Sequence, residues 1–271
     1  MRQKDIDALA IPLRSIAQQA GAAIMGCYRD SNSDVQLKAD QSPVTAADLA
    51  AHQVLVDRLA PLVPGCPVVS EEDVPSQAKR RSRGCFWLVD PLDGTKEYVA
   101  RSGEFTVNVA LVCDGVSRFG VVYAPAIDTL YWGGLGFGAF RQMGKESVAI
   151  QVSGASTDQV CRVVASKSHL NPETQLLIDQ LLIDQLAPVS LVQAGSSLKF
   201  CRVAEGLADV YPRLAPTCEW DTAAAQAVLE GAGGCVLDLH GQALRYGKPN
   251  VLNPSFVATR DAALISFLKN I

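Results

Sequence analysis

"FTVNVALVCDGVSRFGVVYAPAIDTLYWGGLGFGAF", residues 105–140, is a series of short β-rich runs broken by turn residues. Val, Tyr, Phe and Trp concentrate in the runs, and Asp114-Gly115 lies between two of them, a pairing that favours a tight hairpin turn. The character from 86 to 141 therefore predicts an antiparallel meander. Its glycines do not make a phosphate loop. "GGLGFG" (133–138) lacks GxGxxG spacing, and in "GFGAFRQMGK" (136–145) Gly138 and Gly144 are one residue too far apart. Glu146 also stands where such a loop needs Ser or Thr, so both clusters read as turns.

Upstream of the meander the periodicity is helical. Ile6, Leu9, Leu13, Ile16, Ala20 and Ile24 recur every three or four residues, an amphipathic helix over 6–28 with Pro12 disturbing its first turns. "SPVTAADLAAHQVLVDRLAPLVPG" (42–65) reads as a second helix, started near Thr45 and stopped by Pro61 to Gly65. "QAKRRSRG" (77–84) reads as a basic, solvated connection.

Downstream of 160, strands and helices alternate: "CRVVAS", a helix near 172–186, "PVSLVQAG", a helix near 197–205, "ADVYP", a helix near 222–231, "GCVLDL", "FVATR" and a final helix. Such alternation predicts helices layered on a sheet. A boundary near 150 divides residues 1–150 from 151–271, and without a Gly/Ser-rich linker the halves should share a large interface. "LLIDQLLIDQ" (176–185) repeats a five-residue unit once, a local duplication in a surface-facing helix rather than a solenoid.

The chain has 271 residues, 48% hydrophobic and 19% charged, with a formal net charge of −4. That balance suits a globular protein with a substantial core and offers no broad basic field for nucleic acid or anionic membrane. No run approaches the ~18 apolar residues of a membrane span, and the N-terminus "MRQKDIDALA" lacks the apolar core of a secretory signal. The eight cysteines are scattered singly with no CxxC, which favours buried thiols in a reducing cytoplasm over a disulfide framework or zinc site.

Four acidic clusters remain. "LVDPLDGTKEY" (88–98) sets Asp90 and Asp93 around a bend in which Pro91 fixes φ and Gly94 permits a conformation that a Cβ resists. Carboxylates that close repel each other unless a cation intervenes; the local alternative is a turn whose aspartates cap backbone N–H groups. "VVSEED" (68–73) places Glu71, Glu72 and Asp73 after an apolar strand. "TAAD" (45–48) also reads as a capping box closed by Asp48, and in "EWDTAAAQ" (219–226) Asp221 also reads as the N-cap of the following helix. Each local explanation is adequate by itself, but none accounts for the four occurring together.

Taken in order, Asp48, Glu71-Glu72, Asp90-Pro91-Leu92-Asp93-Gly94-Thr95 and Trp220-Asp221 followed by Gly233-Gly234 resemble the Mg²⁺-dependent, lithium-sensitive phosphatases of the inositol monophosphatase superfamily. "KADQSPVTAADLAAH", "SEED", "WLVDPLDGTKEY", "GEFTVNVAL" and "GSSLKFCRVAEGLADVYPR" look like its bacterial CysQ type of 3′(2′),5′-bisphosphate nucleotidase. The resemblance spans essentially the whole chain. It implies a layered α-β-α-β-α sandwich, of α+β or α/β class, with most metal ligands in residues 1–150 and substrate contacts plus the last ligand in 151–271.

It also implies the chemistry. Oxygen ligands without His or Cys select Mg²⁺, with Mn²⁺ as substitute. Glu71, Asp90 and the Leu92 carbonyl should hold one ion; Asp90, Asp93 and Asp221 a second; a third, weaker one lies near Glu71 in relatives. Two ions ~4 Å apart clamp a phosphate and activate water. Asp48, Thr95 and Glu71 are the implied catalytic residues, with Thr95 relaying a proton to a carboxylate.

Glu71, Gly94, Thr95, Ser166, His169, Gly195, Lys199 and Asp221 are the implied substrate contacts, Lys199 as a point charge for a second phosphate. Lys167 replaces the Arg common in "SRSH", leaving a bidentate contact open. The implied substrate is adenosine 3′,5′-bisphosphate, with inositol monophosphates as the alternative and a non-catalytic Mg²⁺/nucleotide-binding regulator as a third reading. The resemblance implies a cytoplasmic location, with peripheral association at the inner membrane as in similar bacterial proteins. Oligomeric state is left open.

Overall fold

Pro12 does more than disturb a helix: the expected single helix is two, α1 (Gln3–Asp7) and α2 (Ala10–Arg29). The break falls just ahead of Pro12, which then occupies the first turn of α2, where a missing N–H costs little. The structure is a computed structural model and describes residues 3–29, 35–37, 43–81, 83–154, 160–165, 174–176 and 188–264.

A two-stranded ribbon, β1 (Val35–Leu37) with β2 (Pro43–Thr45), leads into α3 (Ala46–Leu59). Leu13, Ile16, Ala20 and Ile24 of α2 and Ala47, Ala51 and Leu55 of α3 are buried in one core cluster. Beneath this helical layer lies a seven-stranded sheet in sequential order: β3 (Val68–Ser70), β4 (Cys85–Asp93), β5 (Thr106–Cys113), β6 (Val116–Ala124), β7 (Thr129–Gly134), β8 (Gly138–Met143) and β9 (Glu146–Ile150). β3 runs parallel to β4 and the other pairings are antiparallel. Asp114 (φ 53°) and Gly115 (φ 74°) make the β5–β6 turn in the left-handed region that a two-residue hairpin demands.

Every residue of β5 is buried because the sheet is covered on both faces. Trp87, Val89, Val109 and Val121 face the α2–α3 layer. Phe86, Leu88, Ala110 and Val122 face a second core containing α6 (Leu198–Ala204) and α7 (Glu219–Gly231). The close approach of α7 depends on small residues. A Cβ on Gly120 of β6 would lie 2.0 Å from the Ala224 carbonyl oxygen, and one on Gly231 of α7 would lie 2.5 Å from that of Gly138.

The other side of α7 meets a five-stranded sheet. Its order is β11 (Val189–Gln193), β10 (Cys161–Ala165), β12 (Val210–Arg213), β14 (Phe256–Thr259), β13 (Cys235–Asp238). Val163, Val210 and Val257 on its far face pack with Leu264. The result is the layered α/β sandwich expected, with its first four layers in the described residues. The helix expected near 172–186 is described only at 174–176, so residues 177–185 of the duplication lie outside the described residues, as do 265–271 of the expected final helix. No described helix is long and apolar enough to cross a membrane.

Two expectations need correction. Cys85 and Cys113 form a disulfide, while Cys27, Cys66, Cys161, Cys201, Cys218 and Cys235 are free. The two bonded cysteines stand directly opposite each other in the β4–β5 ladder, a juxtaposition set by strand register and invisible in their spacing of 28 residues. The 77–84 loop is also only partly solvated. Lys79, Arg81 and Arg83 are exposed, but Arg80 turns inward to the buried carboxylate of Glu219.

Candidate metal centre

β4 ends in a bulge. Asp90 opposes Asn108 and Asp93 opposes Thr106, so three steps on β4 match two on β5 at the point where Pro91 has no N–H to give the ladder. The Leu92 amide donates to Asp90 Oδ1 (3.0 Å), folding the bend around the carboxylate. Gly94 follows with φ 89°, and a Cβ there would meet Ser196 Cβ and Glu97 Oε2, both at 3.2 Å. α5 (Thr95–Val99) starts immediately after, with the Thr95 hydroxyl donating to the Leu92 carbonyl (3.4 Å).

Two other elements converge on this bend. Glu71 leaves β3 with its amide donating to Val89 O (3.2 Å), which sets it beside Asp90. Asp221 lies in the first turn of α7 and accepts from the Cys218 amide (2.8 Å). It is not the N-cap expected, because the helix starts earlier, at Glu219, with Cys218 as N-cap and Asp221 as the third residue of the capping box. Carboxylate oxygens of Glu71, Asp90 and Asp221 all lie within 4.8 Å of one another. Asp73, from the same acidic run as Glu71, instead caps α4 (Val74–Gln77).

Asp93 lies beside this group. Its Oδ2 accepts from the Ser197 amide (2.7 Å), Ser196 Oγ (2.5 Å), Asn108 Nδ2 (3.3 Å) and Thr106 Oγ1 (3.4 Å). It is a junction between β5 and the 196–197 loop. Asp48 is buried and closes the capping box, accepting from the Thr45 amide (2.7 Å) and Thr45 Oγ1 (2.6 Å).

Burial, then the charges of Glu71, Asp93, Asp221 and Asp48, push the Asp90 carboxyl well above the usual range. Burial, Asp93 and Glu71 likewise push Asp221 up, against the opposing Cys218 amide and Arg213. Three carboxylates this close, Asp90 buried and Glu71 and Asp221 half-buried, are held together against their own repulsion, which a cation removes. The donor group is all oxygen, with no His or Cys in it, and fits a hard divalent ion.

Asp93 and Asp221 also line a recess of about 70 Å³ with Ser196, Ser197, Lys199 and Arg213. This is well below the ~300 Å³ at which whole-ligand pockets begin, so it suits one group of a ligand. Lys199 is buried, and burial lowers its ammonium pKa while Asp93 opposes the shift. Arg213 reaches Pro216 O (3.4 Å) through Nη2, while its buried Nε has no hydrogen-bond partner. Gly195 lets the 194–197 loop sit against residue 104: a Cβ there would lie 2.8 Å from the Glu104 carbonyl oxygen. Ser166 and His169 lie outside the described residues.

Arg213, Ser196, Ser197 and Asn108 belong to the site without standing among the residues expected from sequence. Arg213 had a usable signal, a basic residue at the end of the strand-like stretch "ADVYPR" (208–213). The others act through contacts about 15 to 100 positions away.

The profile of the inositol monophosphatase family matches residues 5–269. The chain belongs to this family. It is 46% identical over 243 residues to the 3′(2′),5′-bisphosphate nucleotidase CysQ of Escherichia coli strain K12, covering 89% of this chain and 95% of that protein. It is 44% identical over 246 residues to CysQ of Salmonella typhimurium, covering 90% and 96%. The crystal structure of Bacteroides thetaiotaomicron CysQ, a bacterial member of the inositol monophosphatase family, superposes with a TM-score of 0.83 at 40% identity, covering 94% of this chain and 98% of that one. For an inositol monophosphatase family member, the ordered acidic motifs thus coincide with a carboxylate centre drawn from β3, β4 and α7.

Proposed function

We propose that the chain is a Mg²⁺-dependent phosphomonoesterase that hydrolyses adenosine 3′,5′-bisphosphate to AMP and phosphate. The observation that carries this reading is the convergence of Glu71, Asp90 and Asp221 within 4.8 Å, next to a recess bearing Lys199 and Arg213. Its similarity to nucleotidases supports the substrate class.

Glu71, Asp90, the Leu92 carbonyl, Asp93 and Asp221 are the proposed ligands for two or three ions. When bound, the ions neutralise the substrate phosphate and make a water nucleophilic. The chain supplies the rest. The Thr95 hydroxyl, already on the Leu92 carbonyl, orients the attacking water. Asp48 accepts the proton released as the water oxygen bonds to phosphorus, and the 3′ oxygen leaves with a proton from solvent. Lys199 and Arg213 receive the phosphate that does not react, as a point charge and a fork of donors. Ser166, His169 and Gly195 complete the substrate contacts, and the reaction belongs to the cytoplasm.

An inositol monophosphate has no second phosphate for Lys199 and Arg213, which places it second. Phosphate release with each substrate, with and without EDTA, tests the proposal. The expected result is a higher kcat/KM for the bisphosphate, abolished by EDTA. Lys199→Ala should lower the bisphosphate kcat/KM more than that of a monophosphate, and high salt should narrow the gap. A preference for inositol monophosphate, or turnover untouched by EDTA, would overturn the reading.

A further inference from the structure

The basic run at 77–84 borders two adjoining depressions of about 540 and 510 Å³, which share Arg80 and Arg81 as walls. Lys79, Arg80, Arg81, Arg245 and Lys248 are the charged side chains lining them: five cations and no carboxylate, in a chain whose net charge is −4. Both are open depressions of the surface rather than enclosed cavities, accessible to a small anion from solvent.

The compensation of these charges is incomplete. Arg80 and Lys248 share one carboxylate, the fully buried Glu219, at 3.6 and 2.6 Å. Arg81 Nη2 donates to the carbonyls of Cys85 (3.2 Å) and Gly65 (3.4 Å), and Arg245 Nη2 to that of Asp114 (2.8 Å). Carbonyl acceptors orient a guanidinium without cancelling its charge. Neither Arg81 nor Arg245 pairs with a carboxylate among the described residues.

The Arg245 guanidinium is also seated in advance. A Cβ on Gly115 would lie 3.3 Å from its Nη2, so this side chain rests on a glycine of the β5–β6 turn. Tyr246, the one aromatic in the walls, is buried and offers no exposed face for a base. Recognition here falls to the charged forks, whose natural complement is phosphate.

We propose that these depressions form a second, non-catalytic site for a small soluble anion carrying two phosphate groups, coupled to the carboxylate centre through Glu219. The coupling follows from shared partners. An anion drawn to Arg80 and Lys248 competes with Glu219, which also accepts from the amides of Gly247 (2.9 Å) and Lys248 (3.0 Å). Glu219 opens α7 two residues before Asp221, so the competition acts on the turn that carries a proposed ligand.

The test uses the full chain in EDTA, where the acidic centre repels anions, with inorganic pyrophosphate as the probe and calorimetry as the readout. Saturable binding is expected, weakened at least tenfold in Arg81→Ala/Arg245→Ala and in the single charge reversal Arg245→Glu. These positions are exposed, and circular dichroism checks that the variants fold. Glu219→Gln removes the competitor and should tighten binding. No saturable binding by the parent, or equal binding by the exposed-arginine variants, would overturn the site. Unchanged affinity in a folded Glu219→Gln would overturn the coupling. Sedimentation with phosphatidylglycerol vesicles without pyrophosphate binding would assign the charges to a lipid surface and overturn the soluble ligand.

Discussion

Asp90 is pushed up by burial and by four neighbouring carboxylates, so at neutral pH its ionised form costs the metal-free fold stability. The sign follows from linkage: a raised folded-state pKa favours the fold at low pH, and that contribution is lost as pH rises through the folded value. Asp90→Asn removes the charge. The metal-free variant should therefore melt higher than the metal-free parent at pH 7, gain less from added Mg²⁺, and release no phosphate. Melting curves with EDTA and with Mg²⁺ check this, and a variant as strongly stabilised by Mg²⁺ as the parent would refute the ligand role. Thr95→Ala removes the hydroxyl lying on the Leu92 carbonyl and should lower kcat by about 10²–10⁴-fold with KM little changed. Steady-state kinetics decides, and parental kcat would end the role given to Thr95. The acidic residues were legible because carboxylates are few and their order is specific. For Asp48 the duller local explanation proved true as well, since it closes the capping box on Thr45, whereas Asp221 sits at the third helical position behind Cys218 rather than at the N-cap itself. What could not be read was Asp93 as a junction, because its partners Ser196 and Ser197 lie more than 100 positions away.

Among elements, β4 carries the most information. Its last four residues make the bulge and the carboxylate bend, and its first residue carries the disulfide to β5. Turn chemistry made the β5–β6 hairpin readable, because Asp-Gly at positive φ has few alternatives. Register between strands is a cooperative property of whole ladders, and no spacing rule gave the Cys85–Cys113 pairing. Thiol titration of the unfolded chain checks it. Six thiols should react before reduction and eight after; eight at the outset would break the pairing. Helix ends were legible where a cap marks them, as at Thr45, but the break before Pro12 was not, since the apolar spacing runs through it. The inward turn of Arg80 was not legible either, since the local composition of 77–84 reads as solvent-exposed and the attraction comes from Glu219.

At the scale of the molecule, the alternation of elements predicted layers, while their spacing rests on a few glycines and alanines that look unremarkable in sequence. Gly120→Ala would put a methyl group 2.0 Å from the Ala224 carbonyl oxygen. Overpacking of this kind costs about 1–3 kcal/mol or more. Chemical denaturation should show that loss, and because α7 carries Asp221, Mg²⁺ affinity should fall with it. Unchanged stability would mean the two layers separate more easily than their packing implies.

The placement of Asp221 on the helix between the sheets also has a consequence for a chain during synthesis. Glu71 and Asp90 leave the ribosome 150 and 131 residues ahead of Asp221, the shorter interval being roughly 7–26 s at ordinary elongation rates. Once β9 is complete at Ile150 the seven-stranded sheet presents two of the carboxylates, and the third arrives only with α7, the helix laid between the sheets. A chain ended before Asp221 is thereby denied the complete carboxylate group, and any activity that depends on the group waits for α7.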